Sequence, residues 1–104
     1  MQIQINSDHQ INPSPELASR IRTLIRDTLD RHSDRITRVE VHLNDQNSLK
    51  GGANDKRCTM EARVRGHQPV AVTSHAPTLR EAMGSAADKL QRSLEHLLGR
   101  LERR

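Results

Sequence analysis

Five side chains near the end of the chain, Lys89, Arg92, His96, Arg100 and Arg103, are spaced by three or four residues. On a helix turning ~100° per residue they share one strip about 80° wide. The chemistry open to such a strip is electrostatic. A guanidinium holds phosphate oxygens in a bidentate fork, and an ammonium acts as a compact point charge. Glu81, Asp88, Glu95 and Glu102 fall on a neighbouring strip, from about −80° to −140° of Lys89. A solubilising face intersperses its signs, whereas a face that tracks phosphates does not. A solvated face with ordinary charge pairs remains the alternative. A smaller set lies on an earlier helix, where Arg22 and Arg26 flank the apolar stripe on one side and Arg20 and Arg31 on the other. There Asp27 with Arg31, and Arg26 with Asp30, fit intrahelical pairs four residues apart. The candidate nucleic-acid-binding residues are therefore Lys89, Arg92, His96, Arg100, Arg103, Arg22 and Arg26.

Other chemistries find little support. The histidines at 9, 32, 42, 67, 75 and 96 match no metal-ligand spacing, and a single Cys58 adds little to them. Cys58 falls on an inward strand position, where it reads as a small hydrophobe. No nucleophile elbow or phosphate-binding loop motif is present. Lys50-Gly51-Gly52 resembles a phosphate loop only in composition, since it does not join a strand to a helix. The expectation is a non-enzyme with no metal, no cofactor, no small-molecule substrate and no membrane partner.

Composition agrees with a polyanion partner. The 104 residues carry 17 Lys and Arg against 13 Asp and Glu, a net charge of +4, and 14 of the cations are Arg. No Phe, Tyr or Trp is present, which excludes RNA modules that stack bases on aromatic rings. It also means a thin, aliphatic core without the ~150–250 Å² that each buried aromatic supplies. No apolar run approaches the ~18 residues of a membrane span, and the opening residues do not read as a signal peptide. One cysteine fits a reducing cytoplasm. The length argues for one domain over residues 1–104.

The elements that must position the cations follow from periodicity. Ile3 and Ile5 alternate with Gln2, Gln4 and Asn6, a half-buried strand over 2–6. Ser14 caps a helix that Pro15 opens and that the stripe Leu17, Ile21, Leu24, Ile25, Leu29 carries to about 32. A second strand over 38–43 turns Val39, Val41 and Leu43 inward. Residues 44–56 are polar, contain Gly51-Gly52 and read as a long mobile loop. A third strand over 57–65 turns Cys58, Met60, Ala62 and Val64 inward and is expected at the centre of the sheet. Gly66-His67-Gln68-Pro69 makes a hairpin turn to a fourth strand at Val70 and Val72. Arg38, Arg63 and Arg65 alternate with Glu40 and Glu61 on the outer face, a pattern for cross-strand charge pairs. Thr78 and Glu81 form a capping box. The helix that follows, over 79–102, carries Met83, Ala87, Leu90, Leu94, Leu97 and Leu101, is roughly 36 Å long, and overruns strands of ~17–20 Å. The fold class is α+β: one domain, β-α-β-β-β-α, with two helices on one face of a four-stranded, mostly antiparallel sheet.

This chain resembles the short form of the bacterial ribosome hibernation promoting factor family, also called ribosome-associated inhibitor or sigma-54 modulation proteins. Asp88-Lys89-Leu90-Gln91-Arg92-Ser93-Leu94 matches the family's D/N-K-L-x-R-Q-L core in all but Ser93. Val70-Ala71-Val72-Thr73-Ser74, Met1-Gln2-Ile3-Gln4-Ile5, Asp34-Arg35-Ile36 and Val39-Glu40-Val41 match in pattern. The resemblance implies binding to the small ribosomal subunit and its ribosomal RNA near the decoding channel, silencing or storing idle ribosomes. It places Lys89 and Arg92 on the family's basic positions. The family's aromatic-Ala-Ala-Ile-Asp segment reads Arg80-Glu81-Ala82-Met83-Gly84 here, and its aromatic near the end of the first helix reads His32-Ser33. The long-form dimerisation domain is absent, so the expected state off the ribosome is a monomer. The alternative function is a non-ribosomal protein-interaction or regulatory domain on the same fold.

Overall fold

The computed structural model describes residues 1–8, 14–45 and 56–102, the side chains of 100–102 excepted. The elements run β1 (Gln2–Ser7), α1 (Pro15–Thr28), β2 (Ile36–Asp45), β3 (Lys56–Val64), β4 (Val70–Ala76) and α2 (Leu79–Glu102), with a short 3-10 turn at Asp30–His32. The sheet order is β1-β2-β3-β4. β1 runs parallel to β2, and α1 supplies the crossover a parallel pair needs. The other two pairings are antiparallel. β3 is central, bonded on both sides, as its strict alternation implies.

Alternation decides which residues enter the core. Val39, Val41 and Leu43 from β2 and Cys58, Met60, Ala62 and Val64 from β3 are buried. A register shift between Ile36 and Arg38 lets Ile36 face inward as well, although it breaks the odd-numbered series. Ile21, Ile25 and Leu29 enter from α1. From α2 come Ala82, Met83, Ala86, Ala87, Leu90, Leu94 and Leu98. Here the expected stripe shifts: Leu98 is 1% exposed, whereas Leu97 is only half-buried. A seven-residue repeat slips about 20° per repeat on a straight helix, so Leu98 replaces Leu97 on the inward face by the fifth turn.

Several boundaries differ from the sequence reading. α1 stops at Thr28, where the Leu29 N–H still bonds the Ile25 carbonyl at 2.9 Å. The 14-residue helix is about 21 Å long and so already spans the six-residue β1. Arg31 therefore leaves the helix and pairs with Glu95 of α2 at 3.9 Å rather than with Asp27. β2 is longer than expected, ten residues over Ile36–Asp45, and β3 keeps its nine residues but starts one earlier, at Lys56. Asn44, Asp45 and Lys56 belong to the strands, closed by a Lys56–Asp45 ion pair at 3.0 Å and an Arg57–Asn44 hydrogen bond at 3.2 Å. The remainder of the expected loop, 46–55, lies outside the described residues. Ser14 caps α1 through the Leu17 N–H at 3.1 Å. In the capping box of α2, Thr78 accepts the Glu81 N–H at 3.2 Å. The Glu81 carboxylate takes the Thr78 hydroxyl at 3.3 Å rather than its amide. Gly66 turns the β3–β4 hairpin with φ +76°, a left-handed conformation that glycine adopts without strain.

Two stability predictions follow from these positions. Gly84 lies inside α2, and a Cβ there meets nothing within 4 Å. Gly84→Ala should stabilise the fold by ~1 kcal/mol and raise the melting temperature by roughly 4 °C, read by calorimetry. Burial pushes the Cys58 thiol up to about 12 from its ordinary 9.0. The folded state thus holds this proton more tightly. Its contribution to stability is complete below pH 9.0 and is lost as pH rises toward 12. Iodoacetamide at about pH 8 should leave the native protein unlabelled on the timescale that modifies it in urea. Equal rates would contradict the buried placement.

Candidate nucleic-acid interface

Side chains on α2 divide according to what lies beside each flank. β4 follows β3 at one edge of the sheet, and α2 packs over both strands. The Lys89 ammonium donates to the Thr73 carbonyl of β4 at 2.9 Å, so the strip headed by Lys89 borders that edge. The opposite flank faces α1, and there Glu95 meets Arg31. The sorting of charges on α2 is thus matched to its surroundings, cations along β4 and anions toward the arginine of the 3-10 turn.

The candidate cations are not gathered into one patch. Lys89, Arg92 and His96 are exposed along one strip of α2. Arg92 and His96 make no ion pair or hydrogen bond with the described residues. Arg100 continues α2, but its side chain is not among those described, and Arg103 lies outside the described residues. Arg22 and Arg26 belong to the other edge. Arg22 is half-buried and donates through Nη1 to the Ile3 carbonyl of β1 at 2.8 Å, whereas Arg26 is exposed. β1 and β4 are the two edge strands, so Arg22 and Lys89 sit across the full width of the sheet from one another.

These two contacts share one physical consequence that spacing alone does not reveal. Edge strands present unpaired backbone groups that invite pairing with another chain. Each edge here has a carbonyl occupied by a cation that the overlying helix extends. The residues missed at the sequence level are the acceptors, Ile3 and Thr73, because a backbone oxygen carries no sequence signal.

The open sheet face corrects another expectation. In the β2–β3 register Arg38 stands opposite Arg63, and Glu40 opposite Glu61. Like charges face one another, so the pairs form along each strand instead. Arg38 meets Glu40 at 2.8 Å and Arg63 meets Glu61 at 3.9 Å. Arg38 also bonds the Gln4 side chain of β1, and His42 lies 3.7 Å from Glu40. Arg38 and Arg63 on this face are thus each paired with an acid, unlike Arg92 on the α2 strip. Among the described residues no three His, Cys, Asp or Glu side chains come together, and no helix is long and apolar enough to cross a membrane.

Arg22→Ala should cost about 1 kcal/mol in urea denaturation, since it leaves a part-buried carbonyl unpaired. Lys89→Ala should cost less, because its ammonium is exposed. The double variant should stay folded yet associate with rising concentration in sedimentation velocity, its edges no longer guarded. A double variant that remains monomeric throughout would show that the two cations do not guard the edges.

Solved structures share this architecture. The N-terminal domain of Protein Y from Thermus thermophilus superposes with a TM-score of 0.76 at 16% identity, covering 93% of this chain and 99% of that one. A ribosomal subunit interface protein from Coxiella burnetii gives 0.71 at 20% identity, covering 95% and 99%. At these identities the likeness is one of fold. No match emerges among curated proteins. The family described as sigma 54 modulation protein / S30EA ribosomal protein matches residues 3–102, and with that match spanning nearly all of the chain, this protein belongs to that family.

Proposed function

We propose that the protein is a ribosome-binding factor without catalytic activity. It silences or stores idle ribosomes by laying the cationic strip of α2 on small-subunit ribosomal RNA near the decoding channel. Family membership and the fold shared with a ribosomal subunit interface protein support the ribosome as partner. The observation that carries the RNA contact is the unpartnered state of Arg92 and His96 beside Lys89, whereas Arg38 and Arg63 of the open sheet face are paired with Glu40 and Glu61. With no aromatic side chain, recognition rests on phosphate contacts and shape rather than on stacking. Lys89, Arg92 and His96 bind phosphates directly, and Arg100 and Arg103 continue their spacing along the sequence. Arg26 is a peripheral contact, and Arg22 is committed first to β1.

Salt dependence tests this reading. Each neutralised phosphate contributes a slope of roughly −0.7 to −0.9 in log K against log salt. Contacts from Lys89, Arg92, Arg100 and Arg103 together therefore give about −3 or steeper for purified small subunits. Lys89→Glu with Arg92→Glu should flatten the slope by about two units while leaving the core intact, because both positions are exposed. Arg63→Glu on the open sheet face is the control and should weaken binding less. A folded double variant that binds like the parent at every salt concentration would reduce the strip to a solvated face. Co-sedimentation of the full chain with ribosomal particles in a sucrose gradient separates this function from a non-ribosomal interaction domain, which would stay at the top.

A further inference from the structure

β4 runs antiparallel to β3 and β3 to β2, so β1, β2 and β4 all point the same way. α1 follows β1 and α2 follows β4, so the helices return side by side with their first turns at one end of the sheet. Between those N-terminal halves lies a groove of about 470 Å³ lined by Leu17, Arg20 and Leu24 of α1 and by Arg80, Met83 and Gly84 of α2. That volume is within the ~300–1,000 Å³ typical of ligand sites. Its accessible apolar surface comes from Leu17 and Leu24, both half-buried, above the buried Met83. Gly84 keeps it open, because nothing stands within 4 Å of where a Cβ would be. From Leu17 to Leu24 the groove follows two turns of helix, about 10 Å.

The rim gives the groove its chemical character. Arg20 and Arg80 are exposed, one on each helix, and neither has an ion pair or hydrogen bond with the described residues. Arg31, Arg38 and Arg63 are engaged with Glu95, Glu40 and Glu61, whereas Arg20 and Arg80, like Arg92 of the strip, are not. Glu81, beside Arg80 in sequence, holds the Thr78 hydroxyl instead. Two free guanidinium groups therefore straddle an apolar floor. A phosphate backbone would gain from the arginines but nothing from the floor. An amphipathic segment with carboxylates flanking its apolar residues uses both.

We propose that this groove docks a short acidic amphipathic helix of another protein, its apolar side chains on Leu17 and Leu24 and its carboxylates on Arg20 and Arg80. The site is separate from the cationic strip of α2 and does not rest on the ribosomal reading. The probe is a fluorescein-labelled synthetic helix with Leu at i, i+3, i+4 and i+7 and Glu on both flanks, titrated with the full chain by fluorescence anisotropy. Saturable binding is expected, weakened about tenfold or more by Arg20→Glu with Arg80→Glu and also by Gly84→Leu, which fills the groove. Lys89→Glu with Arg92→Glu should leave this binding unchanged even where it abolishes subunit binding, so the two readings fail separately. If Gly84→Leu does not fold by thermal melting, the exposed arginine pair carries the test alone. The proposal is overturned if the probe does not bind, or if a version with Lys in place of Glu binds as tightly. It is also overturned if an oligouridylate binds the chain with the same sensitivity to Arg20→Glu and Arg80→Glu, which makes the groove a nucleic-acid contact. Self-association of the unliganded chain that Gly84→Leu abolishes would give the groove to a second copy instead.

Discussion

Everything in this structure depends on a core built without a single aromatic ring. Aliphatic side chains contribute ~1.5–3 kcal/mol each on full burial, so the helices must lie close to the sheet for enough of them to be sealed. The residues at the contact show how this is met. Ala82, Ala86 and Ala87 of α2 share one buried cluster with Ala62 and Met60 of β3, and small side chains allow close approach of helix and sheet. Leu90, Leu94 and Leu98 then carry the seal toward the far end of α2. Truncating one of these fully buried leucines would remove ~2–5 kcal/mol, a large share of the 5–15 kcal/mol that small domains possess.

Close packing of helices on the sheet also brings their long cationic side chains within reach of the strand edges. Arg22 and Lys89 have long stems whose charged ends meet backbone oxygens of β1 and β4. The same thin core that limits stability therefore supplies the geometry that protects the sheet from pairing with other chains. It leaves two weak places as well. Between the first halves of α1 and α2 a groove is left open, and the turn at His32 leaves its Nε2 buried with no partner, a placement that ordinarily costs about 1–3 kcal/mol.

The sequence disclosed what periodicity can disclose. Strand faces at Ile3, Val39, Val41, Cys58, Met60 and Ala62 were legible because alternation has only two phases. The caps at Ser14 and Thr78 were legible because a short polar side chain before a helix has one common use. What periodicity could not carry was anything set by a neighbour in space. The β2 bulge that admits Ile36 depends on β3. The exchange of Leu97 for Leu98 depends on the slow rotation of α2 over the sheet. The end of α1 at Thr28 depends on the length of β1. Register was equally hidden: alternation placed Arg38, Glu40, Glu61 and Arg63 on one face, but only the pairing set like beside like and turned expected cross-strand pairs into pairs along each strand. For the candidate interface, the strip on α2 was readable as a pattern, while the commitment of Arg22 to Ile3 was not.

Lys89 shows why a structural role and a binding role need not compete. An ammonium carries three donors, and its bond to the Thr73 carbonyl uses one of them. That bond fixes the end of a flexible side chain that would otherwise lose up to ~2 kcal/mol of rotamer entropy on meeting a phosphate. Part of this ordering is already complete in the free protein, so a phosphate arriving at the β4 flank meets a cation with two donors free and its position set. Arg92 and His96 lack such an anchor and keep their polar ends in solvent. The strip thus combines one positioned cation with adaptable neighbours, an arrangement suited to following a backbone of phosphates rather than to reading a base.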